Sequence, residues 1–288
     1  MKIKKAIIPA AGFGSRMLPA TKSVPKEMLP IVDKPAIQNI VEELAASGIE
    51  DILIITNRGK GVMEDHFDRV PELETALDKP GKEALYESLV DCTNLANISF
   101  IRQQEIKGNG HAILKGRAFI GNEPFIVAYG DDVIVSDYPV SRQLIDAYAE
   151  FGLSGLGIKE VRKEDITMYS SMKVKHIRDN YYIVDDMVEK PAPDKCFSLF
   201  AILGRCLLTP DIFNIIANLK PGAGGEIQLT DAIRIISNRS NCVGVDFVGR
   251  RYDLGNKFGF LQAQIEIGLS HPDTGDALKA FIKTLNLG

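Results

Sequence analysis

Short apolar runs alternate with segments of helical period through the first half of the chain. Residues 5–9 (KAIIP) read as a strand. Ile37, Ile40, Val41 and Leu44 recur at the i, i+3, i+4, i+7 spacing of one buried helix face, which predicts a helix over 36–47 ended by Gly48. DILIIT (51–56) carries a continuous apolar run from Ile52 to Ile55, as expected of a strand covered on both faces. Helical patterns follow over 60–68 and 82–92, a strand over 97–102, a helix over 110–118 and a strand over 125–129. This rhythm predicts a parallel sheet with helices on both faces.

The second half opens strand-rich, over 154–160, 172–177, 181–185 and 199–205. Helices resume over 210–219, 227–238, 256–269 and 275–285. No repeat, low-complexity tract or long linker interrupts the chain. The expected class is α/β, with a Rossmann-like mixed, mostly parallel central sheet flanked by helices. A small β-rich insertion and a helical C-terminal end complete it.

Composition narrows the function. The chain is 45% hydrophobic with mean hydropathy near zero, so a sizeable core is expected. A net charge of -4 argues against a general nucleic-acid binder, and any phosphate affinity must come from local clusters. The opening MKIKKAIIPAAGFG has too short an apolar run for a signal peptide, broken by Pro9, Gly12, Gly14 and Arg16. No stretch approaches the ~20 apolar residues of a membrane span, so no membrane partner and a cytoplasmic location are expected. Cys92, Cys196, Cys206 and Cys242 form no C-x-x-C pair and no Cys/His zinc spacing. They read as small apolar residues of a reducing compartment.

Ligands of parallel α/β sheets bind beyond the carboxyl ends of the strands. That rule selects three segments. After 5–9 comes a glycine loop with Gly12 and Gly14, then Arg16, Lys22 and Lys26, a set suited to a polyanion. It is no P-loop, and Met17 stands where a dinucleotide fingerprint needs its third glycine. After 97–102 comes Gln103 and then KGNGHA, whose Gly108 and Gly110 open a helix with free N–H groups. His111 reads there as a packed or capping side chain. After 125–129 come Asp131 and Asp132, which suit either Mg²⁺ or a turn. Elsewhere, Asp253 reads as a second hard ligand or a helix N-cap. Glu189-Lys190-Pro191 should be extended, with the two charged side chains on opposite sides. Glu226, in GAGGEIQLTD, reads as a first-turn acid favoured by the helix dipole.

Taken together, these segments resemble the bacterial UTP–glucose-1-phosphate uridylyltransferases, among the sugar-phosphate nucleotidylyltransferases. The likeness runs in order through PAAGFGSRMLPATKSVPKEMLPIVDKP, EDHFD (64–68), RQ with KG-x-GHA (102–112), VEKP (188–191), LGR (203–205), LTPDIF (208–213), GEIQLTD (225–231) and YDLGNKFGF (252–260). It covers most of the chain, and that shared order is far more specific than any single motif.

The resemblance implies the nucleotide-diphospho-sugar transferase fold as one domain over 1–288. Its nucleotide-binding part would be about 1–150 and its sugar-binding part about 151–288. It implies that Ala10, Ala11, Gly12 and Gly14 cradle the nucleotide, with Glu27, and that Gln103 and Gly108 read the uracil edge. Arg16 and Lys26 would face the triphosphate, Asp131 and Asp253 would hold Mg²⁺, and Lys190 would hold the sugar phosphate. Tyr169, Glu189 and Gly204 would line the sugar pocket. UTP and glucose 1-phosphate would be the substrates, UDP-glucose and pyrophosphate the products, and the assembly a homodimer or homotetramer.

Three stretches depart from the family pattern. Tyr169-Ser170-Ser171 stands for Tyr-Gly, Ser198-Leu199-Phe200-Ala201 for Ser-Asn-Leu-Ala, and Tyr129-Gly130 for Leu-Pro. The first two leave open another sugar 1-phosphate or dTTP as substrate, or a weakly active regulatory paralogue.

Overall fold

The computed structural model describes residues 2–239 and 242–286. In chain order the strands are β1 (Lys5–Pro9), β2 (Pro30–Ile31), β3 (Lys34–Pro35), β4 (Asp51–Thr56), β5 (Asn97–Arg102), β6 (Phe125–Ala128), β7 (Asp132–Val135), β8 (Ser154–Glu160), β9 (Ser170–Arg178), β10 (Tyr181–Glu189), β11 (Phe200–Leu208), β12 (Cys242–Asp246) and β13 (Arg250–Asp253). The helices are α1 (Ala36–Ala46), α2 (Val62–Phe67), α3 (Pro71–Leu77), α4 (Glu83–Thr93), α5 (Asn109–Lys115), α6 (Arg117–Ile120), α7 (Val140–Phe151), α8 (Asp211–Ala217), α9 (Leu229–Ser237), α10 (Lys257–Ser270) and α11 (Gly275–Thr284).

A nine-stranded sheet runs in the order β5-β4-β1-β6-β11-β8-β12-β10-β9. β5, β4, β1 and β6 are parallel neighbours. β11 lies antiparallel between β6 and β8, β12 is parallel to β8, and β10 is antiparallel to both β12 and β9. The sheet is therefore mixed and mostly parallel, with β11 and β10 reversed.

Side-chain alternation along β1 feeds two cores. Ala6 and Ile8 pack on one face with Ile37, Ile40 and Leu44 of α1. Ile7 packs on the other with Ile113 of α5 and with Phe125 and Phe213, whose rings stack 5.2 Å apart. Every apolar position singled out on α1 is buried, as is each residue of β4 after Asp51.

The sequence reading omits the two-residue strands β2 and β3, and also α3, β7, α7 and β12. The four residues of β7 gain their ladder only from distant β13, where Asp132 pairs with Asp253. α7 buries Val140, Leu144 and Ala147, and the Ser, Arg, Gln and Asp between them dilute its apolar signal. β12 carries Gly244 at its centre, a weak strand residue. The helix expected over 110–118 is divided at Gly116 into α5 and α6. β9 and β10 run longer than expected, as a ribbon over 170–189.

Candidate active site

The carboxyl ends of β1, β4, β5 and β6 share one rim of the sheet. After β1, the backbone of Ala10 and Ala11 is buried and held from behind. Lys60 Nζ donates to Ala10 O (2.5 Å) and Asn57 Nδ2 to Ala11 O (2.5 Å). Thr21 Oγ1 donates to Gly14 O (2.8 Å), and Gly12 is exposed at the loop tip. Glu27 does not line the cleft. Its carboxylate is wholly buried, with Lys60 Nζ at 2.8 Å. Burial pushes the Glu27 carboxyl up and the Lys60 amine down, each opposed by the other's charge. Asn57 and Lys60 were missed, although the strand-end rule applied to β4 selects them.

The two aspartates meet because of the β7–β13 pairing. Beside the Asp132–Asp253 pair, Leu254 N donates to Asp131 O (2.8 Å). Gly255 lies between the carboxylates. A Cβ there would stand 2.8 Å from Asp131 Oδ2, 2.9 Å from Asp253 Oδ1 and 2.5 Å from Arg16 Nη2. Lys26 Nζ is 2.5 Å and Arg16 Nη2 3.8 Å from Asp131 Oδ2. Burial alone would raise the Asp131 carboxyl, but Lys26 and Arg16 hold it below its usual value.

Asp253 is not the helix cap. Asn256 Oδ1 caps α10 by accepting from Gly259 N (2.7 Å). The Asp253 carboxylate instead accepts from Gly255 N (2.9 Å) and from Tyr169 Oη (3.0 Å). Arg251 lies 5.1 Å over the Tyr169 ring and donates to Asp132 Oδ1 (2.6 Å). Sequence reasoning missed Arg251, because nothing local links it to residue 132.

Mg²⁺ takes one or two carboxylates and completes its shell with water and substrate phosphates. The carboxylates of Asp131 and Asp253, both within 3 Å of the same point beside Gly255, are hard ligands of the number that demand allows.

A cleft of about 770 Å³ brings together Arg16, Asp131, Tyr169, Glu189, Lys190 and Asp253. Lys26 reaches it through Asp131. Glu189 Oε2 accepts from Thr230 Oγ1 (2.8 Å), a partner not foreseen, and burial raises the Glu189 carboxyl. The expected extended geometry at Lys190 is corrected: its φ is +45°, and its N–H donates to Tyr169 O (2.9 Å). That left-handed turn brings Lys190 Nζ to 4.0 Å from Glu189 Oε1, so both side chains line the cleft.

Other expected residues lie around it. Gln103 is buried, its Nε2 3.0 Å from Gly108 O and 2.9 Å from His111 Nδ1. The N–H of Gly110 is not free, because it donates to Ile227 O (2.9 Å). Gly204 (φ +74°) sits in a bulge of β11 against Ile134, where a Cβ would come within 2.9 Å of that side chain. Ile202, two residues earlier on β11, lines the cleft instead. Glu226 lines the cleft ahead of α9. Ser170 Oγ accepts from Ile202 N (3.1 Å), and Ser171 Oγ donates to Ser198 O (2.7 Å), so both unusual serines tie β9 to its neighbours. The four cysteines are free, three of them buried and Cys196 partly exposed.

Residues 5–268 match the family model described as nucleotidyl transferase. The chain belongs to the nucleotidyl transferase family. Among its relatives, a UTP–glucose-1-phosphate uridylyltransferase of Staphylococcus epidermidis is 50% identical over 99% of each chain. A solved UDP-glucose pyrophosphorylase complexed with UDP-glucose is 42% identical, with a TM-score of 0.86 over 94% of this chain and all of that one. A UTP-bound enzyme of the same kind from Acinetobacter baumannii is 31% identical, with a TM-score of 0.88 over 99% of this transferase and 100% of its own chain. No described helix of this family member is long and apolar enough to cross a membrane.

Proposed function

We propose that this nucleotidyl transferase converts UTP and α-D-glucose 1-phosphate into UDP-glucose and pyrophosphate. The observation that carries the reading is the convergence of Arg16, Lys26, Asp131, Asp253 and Lys190 on one cleft. Relatives named for this activity match over nearly the whole chain and support it.

The chemistry needs little from a protein base. A sugar phosphate with second pKa ≈ 6 is mostly dianionic at pH 7. One of its oxygens attacks the α-phosphorus of UTP in line, and the bond from that phosphorus to the β-phosphate oxygen breaks. No proton need move. The task is to hold two polyanions at bonding range, by positioning and by neutralising charge. Lys190 holds the attacking phosphate. Arg16 and Lys26 face the charge that gathers on the departing pyrophosphate. The loop from Ala10 to Gly14, with Gln103 and Gly108, seats the nucleotide. Glu189, fixed by Thr230, accepts from sugar hydroxyls beside Tyr169. Asp131 and Asp253 would hold Mg²⁺, which would supply electrostatic screening between the phosphate groups.

We read residues 1–288 as one domain of a cytoplasmic homodimer or homotetramer. The test is pyrophosphate release with a panel of sugar 1-phosphates against UTP and dTTP, with and without Mg²⁺. Mg²⁺-dependent release, fastest with UTP and glucose 1-phosphate, is expected. Faster release with another pair would overturn the substrate assignment, and no release with any pair would overturn the activity.

A further inference from the structure

Arg205, on β11, is fully buried together with most of Glu43 of α1. Its Nε donates to Glu43 Oε2 (2.8 Å). Glu43 in turn accepts from the N–H of Ser141 (2.7 Å) and its hydroxyl (3.0 Å), at the start of α7. Nη1 donates to two main-chain carbonyls, Asp132 O (3.1 Å) and Gly204 O (3.0 Å). Nη2 has no partner among the described residues.

A buried ion pair with an unpaired N–H is a poor device for stability. Apolar side chains of similar volume often serve a core as well. What a guanidinium adds is several donors held in one rigid plane. Those donors close a ring around the turn that carries Asp131. Tyr129 N donates to Gly204 O (3.0 Å), Asp132 N donates to Tyr129 O (3.1 Å), and Arg205 joins Asp132 O to Gly204 O. Arg251 grips the Asp132 side chain from the cleft side.

We propose that Arg205 is a positioning residue, which anchors the 129–132 turn to β11 and α1 and so sets where the Asp131 carboxylate stands relative to Asp253. It touches neither substrate nor ion. The inference rests on the reading of Asp131 as a metal ligand.

Two variants separate this role from simple stability. Arg205→Lys keeps the charge opposite Glu43 but loses the planar fork. The double variant Glu43→Leu/Arg205→Met replaces the pair with apolar bulk. Amide hydrogen exchange is expected to quicken about tenfold at Asp132 and at Leu254, the partner of Asp131 O, with β1 and β4 unchanged. Mn²⁺ binding, read by electron paramagnetic resonance with UDP-glucose present and pyrophosphate absent, should weaken about 10–100-fold. Unchanged exchange at Asp132 and Leu254 in a folded variant would overturn the proposal. So would failure of both variants to fold, which would assign the pair to stability alone. A parent protein that binds no Mn²⁺ would instead defeat the metal reading of Asp131, and the exchange measurement would still decide the role of Arg205.

Discussion

The two sides of the cleft are built by different means. On the side of β5, β4, β1 and β6, each loop leaves the carboxyl end of a parallel strand, and its position follows from that strand. On the other side, pairing between distant segments does the placing. Asp132 meets Asp253 across β7 and β13, and Ser170 meets Glu189 across β9 and β10. The first kind of placement is local to one strand–helix unit. The second depends on register, where a slip of one residue turns a side chain to the opposite face.

The largest effect is expected where both kinds of placement meet. Asp131→Asn should lower kcat by about 10³ or more at saturating Mg²⁺, since it removes charge from a site of preorganised electrostatics. Near-parental turnover would refute the metal assignment.

Lys60→Met probes the strand-end side. It leaves Glu27 buried without its partner, so denaturant unfolding should show a loss of about 3–5 kcal/mol. The pair Glu27→Gln/Lys60→Met should recover much of it. No recovery would mean that Lys60 acts on the glycine loop and not through Glu27.

Lys190→Ala probes the paired side. kcat/KM for the sugar phosphate should fall about 10²–10³-fold, as for loss of one preorganised donor, with KM for UTP little changed. An equal rise in both KM values would erase the distinction between the two sides.

Tyr169→Phe should have the smallest effect. It removes one hydrogen bond to Asp253, a change of about 1–2 kcal/mol in transition-state stabilisation. Steady-state kinetics over a Mg²⁺ titration would show it as a modest loss that excess ion partly restores.

The same contrast explains what could be read before the structure. α1, β4 and the glycine loop carry their signals within a few residues, and they lie where periodicity puts them. β7 is four residues long, too short for a period, and becomes a strand only by finding β13. Lys190 misled because a residue before proline favours extended backbone. Here the hydrogen bond to Tyr169 O accompanies a left-handed turn at the end of β10. Arg205 was visible within LGR, but its partners Glu43 and Asp132 lie 162 and 73 residues away. Long-range polar contacts of that kind leave no local mark.

The pairing of β7 with β13 also bears on how the protein is made. A growing chain that has left the ribosome through residue 150 already owns the glycine loop, Lys26 and Asp131, yet the strand that pairs with β7 has not been made. Asp253 is translated about a hundred residues later, so the two carboxylates around Gly255 can be brought together only once β13 has been made.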